Sequence, residues 1–141
     1  MLCYGNICRS PYAALVLEKR LAGLAQPVSI RGAGLGFAPG RPSPEVARQI
    51  AAGRGVSLDG HRSTYADDAL LASADLILIF DDGNAAMLAA RGIGRPAVSM
   101  GALAGTKVIT DPIGGDAAIF AHCYELIDRA TDVVAACCRQ G

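Results

Sequence analysis

The sequence predicts an open α/β sheet of three layers, with four parallel strands and helices on both faces. Three observations predict it. Ala74 to Phe80 reads Ala-Asp-Leu-Ile-Leu-Ile-Phe, a continuous apolar run of the kind found in a parallel strand buried on both faces. Strand-like and helix-like patterns alternate along the chain with short connections, as parallel crossovers require. A cysteine–arginine loop, Cys3-Tyr4-Gly5-Asn6-Ile7-Cys8-Arg9-Ser10-Pro11, joins the first strand to the first helix. Ligand sites of such sheets lie there, beyond the carboxyl ends of the strands.

Met1 to Tyr4 forms the end of the first strand. Only Met1 and Leu2 precede Cys3, so this strand is either truncated or begins upstream. Ser10 is suited to cap a helix and Pro11 to be its first residue. Ala14, Leu17, Leu21 and Leu24 follow at helical spacing, and Gly23 suits the helix end. Val28 to Gly32 reads as the second strand, and Gly32 to Pro44 as loop. Glu45 to Ala52 is a helix stopped by Gly53 and Gly55. A short helix around Asp67 to Ser73 leads into the apolar strand, after which Asp81 to Asn84 reads as loop and a helix runs to about Ala90. Ala97 to Met100 is a weak fourth strand. Asp116 then caps a last helix whose apolar face is read as Ile119, Cys123, Leu126, Ile127, Ala130, Val133 and Val134.

Composition narrows the function. A chain of 141 residues, 52% hydrophobic and 18% charged, has material for one core, so a single domain over 1–141 is expected. Lys+Arg and Asp+Glu are both 13, so charge points to no nucleic-acid partner. No apolar run reaches membrane-spanning length, and no signal peptide is read before Cys3. Five cysteines, at 3, 8, 123, 137 and 138, make no secreted disulfide framework. The expectation is a cytoplasmic monomer with reduced thiols. His61 and His122 have no ligand partners at metal spacing, so no metal is expected. Gly32-Ala33-Gly34-Leu35-Gly36 resembles a dinucleotide fingerprint only superficially: its third glycine falls one place early, and no helix opens there. No cofactor is expected.

The opening loop suits a phosphate-sized dianion, because backbone N–H groups and a helix N-terminus converge on it. A helix N-terminus and a neighbouring cation lower a thiol's pKa, so Cys3 is expected as the thiolate nucleophile. Arg9 offers a planar fork to two phosphate oxygens. Gly5 suits a tight turn with positive φ. Asn6 and Ser10 are short polar side chains able to bond the loop and the sulfur.

These residues carry a resemblance. CYGNICRSP resembles the signature loop of the low-molecular-weight protein tyrosine phosphatases, C-x-G-N-x-C-R-S-P. The likeness runs on through Ala33-Gly34, Gly60-His61, Asp75 to Phe80 with Asp81 and Asn84, and Asp111-Pro112. It implies a phosphotyrosine phosphatase I-like fold and hydrolysis of phosphotyrosine through a cysteinyl-phosphate intermediate. It further implies Cys3 as nucleophile, Arg9 as phosphate ligand and Asp111 as general acid/base. Tyr4, Gly5, Asn6, Ile7, Cys8 and Ser10 complete the phosphate loop, with Cys8 as a redox partner for Cys3. Within the family the chain looks most like the bacterial branch that acts on tyrosine autokinases of exopolysaccharide export, so a tyrosine-phosphorylated protein is the expected partner.

The chain departs from that pattern in four places. Its first strand is short. Ile113 follows Asp-Pro where an aromatic wall is usual, Arg31 replaces a common serine, and Thr64 replaces a common arginine. Tyr4, Phe37, Ile113 and Tyr65 are the candidate cleft residues. Two alternatives keep the loop: an arginine phosphatase or arsenate reductase, and an inactive phosphate-binding module. Ile7 stands where the first two resemble each other in carrying Thr or Ser, and residues 75–100 hold no cysteine for a reductase pair.

Overall fold

The computed structural model describes residues 1–140. Gly141, the last residue of the expected 1–141 domain, lies outside them. The elements in chain order are β1 (Leu2–Cys3), α1 (Arg9–Leu21), β2 (Ala33–Gly34), α2 (Glu45–Gly53), α3 (Asp68–Ser73), β3 (Ile77–Ile79), α4 (Asp82–Ala90), β4 (Ala97–Ser99), α5 (Met100–Leu103) and α6 (Ala117–Gln140). The strands form one parallel sheet in the order β2-β1-β3-β4. The expected three-layer α/β architecture is therefore present, and β1 is central although only two residues long.

Alternation along the strands divides the core. Leu2, Ile77 and Ile79 face a layer that includes Ala66, Leu71 and Leu88, from the α3 and α4 side. Cys3, Leu78 and Phe80 face the opposite layer, where α1, α2, α5 and α6 supply Tyr12, Ala47, Met100 and Tyr124. β3 thus buries both faces, which is why it reads as an unbroken apolar run, whereas the edge strand β4 stays partly exposed. The Tyr12 and Tyr124 rings stack in parallel at 3.9 Å and join α1 to α6. Asp128 of α6 accepts from the Tyr12 hydroxyl at 2.9 Å and pairs with Arg54 at 2.7 Å.

Several sequence expectations need correction. The second strand is Ala33–Gly34, not Val28–Gly32. Its ladder forms where β1 offers partners: Leu2 opposite Ala33 and Cys3 opposite Gly34, with Leu35 N–H donating to the Cys3 carbonyl at 2.9 Å. Ser10 is not the cap of α1. The helix starts at Arg9 without a side-chain cap, because the Ser10 hydroxyl is turned to Cys3 and Asn6. Asp81 to Asn84 is not loop but the start of α4. Asp81 caps it by accepting from Asn84 N–H at 2.8 Å, an Asx pattern that favours helix entry as readily as a turn. On α6 the buried stripe runs through Phe120, Cys123, Tyr124, Ile127, Ala130, Thr131 and Ala135, whereas Ile119 and Val133 are exposed. The Asp116 cap holds, accepting from Ile119 N–H at 3.0 Å.

One contact fixes the route from β4 to the Asp111 loop. A Cβ on Gly101 in α5 would lie 2.7 Å from the Lys107 carbonyl oxygen and from the Val108 Cα. Backbone meets backbone there, and neither side can swing away. Gly101→Ala is expected to destabilise the protein by about 1–3 kcal/mol, read as a lowered urea midpoint with an unchanged m-value.

Candidate active site

The site is assembled at the carboxyl end of β1. Cys3 is buried, and its Sγ receives two polar contacts: Asn6 N–H at 3.2 Å and Ser10 Oγ at 3.1 Å. Asn6 holds the loop closed. Its φ of 52° lies in the left-handed region, and it is the one non-glycine so placed among the described residues. The positive-φ turn expected at Gly5 falls instead at Asn6, whose short side chain tolerates it. Asn6 Nδ2 donates to Ser10 Oγ at 2.7 Å, and Asn6 Oδ1 accepts from Thr64 N–H at 2.8 Å. The Asn6 carbonyl accepts from His61 Nε2–H at 2.6 Å, which fixes the tautomer of that ring. These bonds satisfy a strained, fully buried residue from three directions and offset the cost of its backbone.

Among the described residues the backbone N–H groups of Gly5, Ile7 and Cys8 have no protein acceptor, so the loop has donors to spare. Ile7 and Cys8 point into the core instead of the loop's mouth. Burial, with Asp111 next, pushes the Cys8 thiol up to about 12. The Cys8 carbonyl accepts from the Tyr124 hydroxyl at 2.9 Å, which ties the loop to α6.

Arg9 is 1% exposed and held on several sides. Its Nη1 donates to Asp81 Oδ2 at 2.5 Å and to the Ile109 carbonyl at 2.8 Å, and Nη2 pairs with Asp111 Oδ2 at 3.2 Å. The guanidinium carbon lies 5.5 Å from the centre of the Phe80 ring. Arg9 Nε is buried without a partner. Burial pushes the Arg9 pKa down, but the Asp81 hydrogen bond and the charges of Asp111 and Cys3 outweigh it, so the group stays cationic. Burial likewise pushes the Asp81 carboxyl up. The Arg9 guanidinium and the Asn84 and Gly83 N–H groups prevail and hold it below the ordinary carboxylate range.

The sequence-predicted residues Cys3, Asn6, Arg9, Ser10 and Asp111 are therefore brought together. Asp111 Oδ1 accepts from Ile113 N–H at 3.2 Å, while the Ile113 side chain is exposed. Tyr4 and Phe37 are also exposed, and Phe37 packs edge-on against Tyr65 at 5.1 Å. Three residues that hold the site were not singled out for it. Asp81 anchors Arg9, and His61 and Thr64 hold Asn6. Thr64 acts through its backbone N–H, so no side-chain pattern could reveal it. His61 carries part of the family resemblance, with no role in holding the loop expected of it. Among the described residues no three His, Cys, Asp or Glu side chains converge as a metal cage, and no helix is long and apolar enough to cross a membrane.

A phosphate-sized cradle with a buried thiol at its base, on a parallel sheet of this order, defines a class of cysteine-dependent phosphatases. The low molecular weight phosphotyrosine protein phosphatase family matches residues 1–139, and the chain belongs to that family. It is 32% identical to the low molecular weight protein-tyrosine-phosphatase Etp of Escherichia coli K12, over 93% of this chain and 87% of Etp. It superposes on Vibrio vulnificus Wzb in complex with benzylphosphonate at a TM-score of 0.82, with 32% identity over 96% of this chain and 94% of Wzb. It superposes on the YwlE arginine phosphatase of Geobacillus stearothermophilus at 0.86, with 26% identity over 99% and 90% of the two chains.

The Asp81–Arg9 pair yields a pH prediction. The depressed folded-state pKa of Asp81 means that its contribution to stability is present above the ordinary carboxylate pKa of about 4 and is lost as pH falls through the folded value. Asp81→Asn should cost on the order of 1 kcal/mol at pH 7, limited by the partial exposure of this carboxyl. Urea denaturation at several pH values should show the gap to wild type constant down to about pH 5 and closing below about pH 4.

Proposed function

We propose that this protein hydrolyses phosphotyrosine in proteins through a cysteinyl-phosphate intermediate. The observation that carries the proposal is the polar environment of Cys3 Sγ: a buried sulfur facing one N–H and one hydroxyl, at the base of a loop with unused N–H donors. Those contacts stabilise charge on sulfur when it attacks and again when it leaves. In the first step Cys3 Sγ forms a bond to phosphorus while the bond to the phenolic oxygen breaks. Asp111 gives its proton to that oxygen. In the second step water attacks phosphorus, the carboxylate of Asp111 takes its proton, and Cys3 leaves as thiolate. Arg9 Nε, free of protein partners, and the loop N–H groups serve the equatorial oxygens, where fixed donors do most of the catalytic work in phosphoryl transfer.

Cys8 is the proposed redox partner. A peroxide would oxidise Cys3 to a sulfenic acid, and the Cys8 thiol would then displace water to form the Cys3–Cys8 disulfide. Both thiols are free in this structure. The finer reading places the protein in the exopolysaccharide-type branch, with a bacterial tyrosine autokinase as substrate. The names of relatives such as Wzb support the branch, not the partner.

Turnover of a phosphotyrosyl peptide tests the activity. Cys3→Ser should abolish it while inorganic phosphate still binds. Asp111→Ala should lower it about 10²–10⁴-fold, and less for 4-nitrophenyl phosphate, whose leaving group needs no proton. Phosphoarginine cleaved faster than phosphotyrosine would sink the substrate reading. Phosphate binding without any turnover would leave only a binding module.

A further inference from the structure

The Gly32-x-Gly34-x-Gly36 stretch has no part in the chemistry above, yet the structure gives all three glycines one surface to meet. They fall two residues apart on extended backbone and so share a face. A Cβ on Gly32 would come 3.1 Å from the Ser10 carbonyl oxygen and 3.2 Å from Asn6 Nδ2. One on Gly34 would come 3.0 Å from the Tyr4 carbonyl oxygen and 3.1 Å from the Gly5 carbonyl carbon. One on Gly36 would come 3.0 Å and 3.1 Å from Cζ and Cε2 of the Tyr4 ring. The intervening Ala33 and Leu35 are buried in the other layer of the core. The glycines therefore form a track on which the phosphate loop lies, and Gly36 is where the track meets the exposed side chain of Tyr4.

That side chain is the one directly after the sulfur. Tyr4 is 58% exposed, so one part of its ring rests on residue 36 while the remainder faces solvent, one residue along the chain from Cys3. The ring's base is held as well, because Gly36 N–H donates to the Tyr4 carbonyl at 2.9 Å. An exposed tyrosine free to choose its rotamer gains little from a passing ligand, whereas one propped against backbone has lost that freedom in advance. Ile113, two residues after Asp111, supplies no aromatic face.

We propose that Tyr4 is the specificity-determining residue of the cleft, stacking on the aryl ring of the substrate, and that Gly36 is the positioning residue that seats it. The assignment rests on the phosphotyrosine reading for its substrate but not for its test. The stack favours ligands that present a ring one bond from the phosphorus group, and it adds nothing for phosphate itself.

The test compares two inhibition constants, phenylphosphonate and inorganic phosphate, in wild type, Tyr4→Phe, Tyr4→Ala and Gly36→Ala. The ratio of the two removes any general damage to the loop. One aromatic pair corresponds to a preference of up to about tenfold. Tyr4→Ala should erase it, raising the phenylphosphonate constant about tenfold relative to phosphate, and Tyr4→Phe should keep it. Gly36→Ala should shift the ratio in the direction of Tyr4→Ala. A ratio unmoved by Tyr4→Ala, whether both ligands weaken or neither does, overturns the stacking role. A ratio moved by Tyr4→Ala but not by Gly36→Ala overturns the seating role. Where the ratios behave as expected and wild type still fails to hydrolyse phosphotyrosine, the cleft assignment stands and the proposed activity falls.

Discussion

A single buried cation organises this molecule. Arg9 is almost wholly withdrawn from water, and an isolated guanidinium in that position would cost several kcal/mol. The chain answers with Asp81 from the end of β3, Asp111 and the Ile109 carbonyl from the segment after α5, and the Phe80 ring. The β3 side of the sheet and the segment after α5 are thus drawn to the first helix by one charge. Because Asp81 also caps α4, the same carboxylate fixes where that helix begins and which way the guanidinium points.

The loop itself is held by a second logic, that of backbone accounting. Asn6 adopts a conformation that few side chains accept, and each of its polar atoms is answered: Ser10, Thr64, His61 and the Cys3 sulfur take or give one bond each. None of these bonds needs a ligand. The N–H groups left over belong to Gly5, which has no side chain, and to Ile7 and Cys8, whose side chains are buried, so the anion cradle is what remains when every other demand of the turn has been met.

How much of this could be read from residues alone follows from range. The nine-residue loop was legible because its parts lie within one turn of each other: Cys3, Asn6 and Ser10 bond as short polar side chains at that spacing do. The β3 run was legible because burial on both faces leaves a composition signal. The second strand was misplaced because Val28 and Ile30 have strand-like side chains, whereas strand pairing was decided by where β1 had partners to offer. Ser10 is not the expected cap because bonds within the loop, to the Cys3 sulfur and the Asn6 amide, take its hydroxyl. The α6 face was shifted because Ile119 and Val133 are apolar but exposed, while Tyr124 and Thr131 are polar-tipped but buried. Their hydroxyls find partners in the Cys8 and Ile127 carbonyls, and such partners are invisible in a helical pattern.

The ties between the two ends of the chain bear on how the protein is made. Tyr124 reaches back to Cys8, Tyr12 reaches forward to Asp128, and Arg9 waits for Ile109 and Asp111. Each link spans about a hundred residues or more, the kind of contact that forms late because a long loop must close first. On the ribosome the phosphate loop emerges ahead of Asp81 and Asp111, so its arginine has no counter-charge until at least Asp81 has followed it. A chain clipped before Asp81 therefore carries Cys3 and Arg9 but neither carboxylate that pairs the guanidinium.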